Sequence, residues 1–111
     1  MSSIKSEVSD VVDMLVRGDY DAVVERSNGE RLTAAELEQA VADYGRTLQK
    51  PGSGWWDTVD VTPVGDGDDE FYVAAPLWTE EEGRSDLTLE LSVAKTESGD
   101  FSIEVDDLHV L

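Results

Sequence analysis

Residues able to do chemistry are few in this chain: one histidine, no cysteine, and carboxylates almost everywhere. His109 follows Asp107 by two positions, and on a regular strand side chains at i and i+2 share a face. That spacing lets an aspartate orient an imidazole, the side chain best suited to proton transfer near neutral pH. However, His109 has the opposite parity to Leu108 and Val110, which read as core, so it points to solvent or to a polar sheet face. A base without a pocket is no catalytic centre. No nucleophile elbow, P-loop or dinucleotide fingerprint occurs either. No catalytic residue is assigned, and an enzyme is not expected.

Three other groups have the right residue types for binding. "GDGDDE" (65–70) gathers Asp66, Asp68, Asp69 and Glu70, oxygen ligands of the kind calcium and magnesium prefer. It lacks the spacing of a twelve-residue calcium loop, and Gly and Asp are what polar turns favour, so neither metal nor cofactor is expected. Tyr44, Trp55, Trp56 and Trp78 are pocket candidates. Adjacent Trp55 and Trp56 point to opposite sides if the chain is extended there, one inward and one to the rim; the competing reading makes all four packing residues. Finally, "TEEEGRSD" (79–86) sets Glu80, Glu81 and Glu82 before Gly83 and Arg84. It reads first as a solvated hairpin loop with Arg84 as its anchor on Asp86, Asp106 or Asp107. The second reading makes Glu80, Glu81, Glu82 and Arg84 a docking site for a basic partner.

Composition narrows these choices. At 111 residues the chain has room for a single domain, 1–111, with one modest core. With 40% apolar residues it can fold. Lack of cysteine excludes disulfides, thiolate catalysis and Cys-ligated metals. The formal charge of −18 disfavours phosphate backbones and anionic lipid surfaces, so neither nucleic acid nor membrane is an expected partner. It suits either general solubility or a surface complementary to a basic protein. No run approaches the roughly 18 to 20 apolar residues of a membrane helix, and acids interrupt the N-terminal stretch where a signal peptide would be apolar. A cytoplasmic location is expected.

The elements that must position these residues follow from periodicity. Ile4, Val8, Val11, Val12, Leu15 and Val16 form a helical stripe, with Ser3 as N-cap and Gly18 as stop. Asp19 caps a short second helix carrying Tyr20, Val23 and Val24 inward. Thr33 and Glu36 form a capping box, flanked by Leu32 and Leu37 at hydrophobic-staple spacing, and Gly45 ends that third helix. The helical half is 3–45, a loop follows at 46–56, and 57–111 reads as strand. "WWDTVDVTPV" and "DLTLELSVA" alternate. "FYVAAPLWT" is apolar on both parities, as in a strand covered on both faces, yet Pro76 lacks a ladder donor. In "FSIEVDDLHVL" the apolar parity changes at Asp106–Asp107, by a β-bulge or by the end of the ladder. The expected fold is α+β: two or three N-terminal helices packed on one face of a four-stranded antiparallel meander sheet.

"VVDMLVRGDYDAVVERSNGERLTAAELEQAVADYG" resembles the helical half of nuclear-transport-factor-2-like domains, which implies a cone-like α+β layout. "PLWTEEEGRSDLTLEL" and the ending "DDLHVL" resemble an uncharacterised bacterial family of small domains of unknown function, over about Val11 to Leu111. Such cones host enzymes, binding modules and immunity proteins, so fold alone assigns no activity. The resulting expectation is a non-enzymatic acidic binding domain, monomeric or weakly dimeric. Its most concrete form is a toxin-neutralising, immunity-type protein that occludes a basic protein partner. The alternative is a cone-fold small-molecule pocket protein or minor enzyme.

Overall fold

The computed structural model describes residues 3–27, 32–65, 67 and 69–110. Three helices come first: α1 (Ile4–Arg17), α2 (Tyr20–Arg26) and α3 (Ala34–Tyr44). Their ends are chemical. Ser3 and Ser6 form a reciprocal capping box on α1, as Thr33 and Glu36 do on α3, and Asp19 accepts the Ala22 N–H at the start of α2. Gly18 (φ 75°) and Gly45 (φ 72°) close α1 and α3 in the left-handed conformation that only glycine adopts cheaply.

An antiparallel sheet follows: β1 (Leu48–Gln49), β2 (Asp60–Pro63), β3 (Glu70–Thr79), β4 (Gly83–Lys95) and β5 (Phe101–Val110). It has five strands rather than the four expected. The extra one, β1, is a two-residue pairing with Trp78 and Thr79 inside the segment read as loop. β2 to β5 form the meander, and β1 and β2 share the same edge of β3 at different heights. Extended structure also starts later than "WWDTVDVTPV" suggests. Trp55–Thr58 is a turn of 3-10 helix, entered through Gly54 at φ 84°.

Both irregular positions have a physical resolution. Leu91 pairs with Val105 but Glu90 pairs with Asp107, so Asp106 is the extra residue of a bulge. The bulge returns Leu108 to the face of Ile103 and Val105, and all three are buried. Pro76 lies where β3 has neither β1 nor β2 beside it, at a register shift against β4, so its missing N–H breaks no regular ladder. Its carbonyl instead accepts the Trp55 indole N–H at 3.1 Å.

The helices cover one face only. Val73, Ala75 and Leu77 of β3, Leu87, Leu89, Leu91 and Val93 of β4, and the buried residues of β5 form a single core with Val8, Val11, Val12, Leu15, Val23 and Leu37. The staple is present: Leu37 is buried and Leu32 packs against the same cluster. The second apolar parity of β3, Tyr72 and Ala74 with Pro76, belongs to the opposite, open face of the sheet.

Candidate functional site

The run of glutamates is tied into the fold. Glu81 accepts the Thr47 backbone N–H at 2.8 Å and its hydroxyl at 3.1 Å. Those bonds, the backbone one first, hold its carboxyl below the usual range. Glu82 accepts from the Tyr44 hydroxyl at 2.8 Å and, at its own N–H, donates to Thr79 Oγ1 at 3.0 Å. Tyr44 Oη in turn accepts the Asp86 N–H at 3.3 Å. The loop between β3 and β4 is therefore clasped to the end of α3. Its anchors are Tyr44 and Thr47, not Arg84, which forms no ion pair among the described residues. An arginine at a hairpin exit has many acids in reach in sequence, but here the turn presents carboxylates to backbone and hydroxyl donors instead. Glu80 stays exposed.

The four aromatic candidates do not converge. Trp55 is buried and meets Trp56 edge-on, centroids 5.7 Å apart; the 3-10 turn, not an extended strand, sets their directions. Trp55 lines a shallow cleft with Ser9, Val12 and Pro51 beside α1. Tyr44 lies at another hollow, with Ala40, Leu87 and Leu108. Trp78 packs half-buried near Gly52. Within "GDGDDE", Asp66 and Asp68 lie outside the described residues; the Asp69 carbonyl accepts the Lys95 N–H at 2.7 Å, which extends the β3–β4 ladder at the end away from its turn.

What the strand register does assemble is an acidic open face. Residues paired across neighbouring strands share a side, which aligns Asp60 of β2 with Ala74, Glu90 and Asp107, and Glu70 with Ala94 and Ser102. Glu104 stands opposite Ser92, whose hydroxyl donates to Asp106 at 2.6 Å. Six carboxylates thus occupy one sheet face, floored by Ala74, Ala94 and Ser92 and centred on Tyr72. Near its Glu70 and Glu104 end lies a concavity of about 310 Å³, lined also by Ser92, Ala94, Ser102 and Val64.

His109 is on this face, as its parity requires, but not with Asp107 as its main partner. Its Nε2 lies 2.6 Å from Glu90 Oε1 across the strand pair and 3.9 Å from Asp107 Oδ2. The hydrogen bond to Glu90 raises the His109 pKa, with both carboxylates adding to it. Tyr72 is pushed up as well, by desolvation first and then by the nearby Glu90 carboxylate.

One polar constellation escapes a reading by stripes. Glu7 is buried on the core side of α1 and accepts from Arg26 of α2 at 2.7 and 3.1 Å, while Arg26 also reaches Asp10 at 3.0 Å. The signal was present in the spacing: Glu7 sits four residues before Val11, on the apolar stripe. It locks α1 to α2 and is far in chemistry from a binding site.

Residues 12–111 match the family model described as Domain of unknown function (DUF7668). The chain belongs to this family. No curated protein and no solved structure matches it. For this family member, then, the chemistry of its surfaces is the ground for a functional argument. No helix among the described residues is long and apolar enough to cross a membrane.

Proposed function

We propose that this chain is a non-enzymatic binding domain whose open sheet face takes a basic macromolecular partner, in its most concrete form as a toxin-neutralising, immunity-type protein. The observation that carries this reading is the alignment of Asp60, Glu90 and Asp107 in one row across the sheet, with Glu104 one row and Glu70 two rows away, on a face the helices leave uncovered. A field of one sign over an open surface steers oppositely charged partners and suppresses wrong ones. The engagement of Glu81 and Glu82 with Thr47 and Tyr44 favours this face over the β3–β4 loop. A nuclear-transport-factor-2-like layout, supported by the order of helices and meander, belongs to the same proposal, as does a bacterial, cytoplasmic setting.

Co-expression with the products of the neighbouring genes tests it. A one-to-one complex with a basic protein, which dissociates as sodium chloride rises and whose enzymatic activity is suppressed in the complex, is the expected result. Absence of any such complex, together with no affinity for arginine-rich peptides at low salt, overturns the reading.

A further inference from the structure

We propose that Glu90 and Asp107 form a cation seat on the open sheet face, that His109 occupies it in the free protein, and that a partner's guanidinium or ammonium takes His109's place. This rests on the open face being the binding surface. The two carboxylates are direct cross-strand partners, an arrangement in which like charges oppose each other and weaken the sheet. Both come within ion-pair range of one imidazole nitrogen, at 2.6 and 3.9 Å. Two acids converging on a single nitrogen are the geometry of a site for one cation, and His109 is that cation supplied from within.

The occupant is replaceable. Side chains of Glu90, Asp107 and His109 are 22, 52 and 38% exposed, so an incoming group reaches all three. Imidazole is charged only when protonated, whereas arginine is charged at every relevant pH and its fork can serve both carboxylates at once. An arginine in the seat faces the imidazolium as a like charge, so His109 gives up its proton to solvent as the partner binds. The groups around His109 set this balance: Glu90 from β4 and Asp107 from its own strand favour the proton. Tyr72 of β3 stands behind Glu90, and Asp43 and Tyr44 of α3 border the hollow at the strand's end.

Hexa-arginine is the probe, titrated into the full chain while the single histidine is followed by NMR. At saturation the His109 midpoint should fall by about one pH unit relative to sodium chloride at matched ionic strength. Affinity should rise about tenfold from pH 6 to pH 8.5, and His109→Gln should bind about tenfold more tightly than the parent at pH 6 but equally at pH 8.5. The NMR arm needs no variant, so poor folding of His109→Gln cannot hide the answer. Binding with an unmoved His109 midpoint and no pH dependence overturns the seat alone. No binding of hexa-arginine at any pH overturns both the seat and the proposed function.

Discussion

Leu89→Ala probes the packing that holds the open face in place. Leu89 is fully buried, between Ala75 of β3 and Leu108 of β5 in the ladder. Its truncation removes three carbons, about 2.4 kcal/mol of transfer free energy at about 0.8 kcal/mol each. A residual void of about 40 Å³ adds about 1 kcal/mol at 24 cal/mol per Å³. The expected loss is therefore about 3.5 kcal/mol. In a domain of this size that lowers the melting temperature by roughly 14 °C and moves the urea midpoint down with an unchanged slope. Glu90→Ala, one residue on and facing the other way, should change stability by less than about 1 kcal/mol, as partly exposed ion pairs do. A loss below about 1 kcal/mol for Leu89→Ala, or equal losses for the two variants, would refute the assignment of faces.

Thr33→Ala should cost about 1 kcal/mol in urea unfolding by removing the hydroxyl that accepts the Glu36 N–H; an unchanged midpoint would refute the cap. Removing Arg26 leaves Glu7 buried without its partner, so Arg26→Ala should lose about 2 kcal/mol, visible as a calorimetric drop that Arg17→Ala, at the exposed end of α1, does not show. Because the folded His109 pKa is raised, its contribution to stability is present below about pH 6.5, the unfolded value, and fades as pH rises through the folded one. Glu90→Gln should bring the NMR midpoint of His109 down, and an unmoved midpoint would count against the 2.6 Å bond. Since −18 charges repel one another, melting temperature should rise from about 0.01 to 1 M sodium chloride as the screening length shrinks from about 30 to about 3 Å; a flat curve would contradict net self-repulsion.

Much of the fold was legible because it rests on local rules. Ser3, Thr33, Gly18 and Gly45 mark helix ends by side-chain and backbone chemistry that needs no distant partner. The alternation of Leu87 to Val93 identifies the buried side of β4, and the parity change at Asp106–Asp107 marks the bulge. What stayed hidden depends on register. Nothing near Leu48–Gln49 announces a strand, because its pairing is decided by where β3 ends. Trp55 and Trp56 close the segment read as loop, and the 3-10 turn entered through Gly54, with the Trp55 indole on the Pro76 carbonyl, has no local signal there. Likewise, Tyr44 and Glu82 are 38 residues apart, and no spacing rule joins them. The acidic face has the same origin: Asp60, Glu90 and Asp107 fall into one row only once four strands, β2 to β5, are aligned.

Where the charge sits, rather than how much there is, can be separated by two variants of equal net charge. Asp60→Asn, Glu70→Gln and Asp107→Asn together neutralise the open face; Asp21→Asn, Glu25→Gln and Glu38→Gln neutralise exposed helical positions. Each set removes three negative charges, taking −18 to −15. Calorimetric titration with an arginine-rich protein or peptide at fixed ionic strength should show the open-face variant weakened at least about tenfold, about 1.4 kcal/mol, and the helical variant within about twofold of the parent. Equal weakening of the two would mean that bulk charge alone draws basic partners, and would contradict a binding surface on the open sheet face.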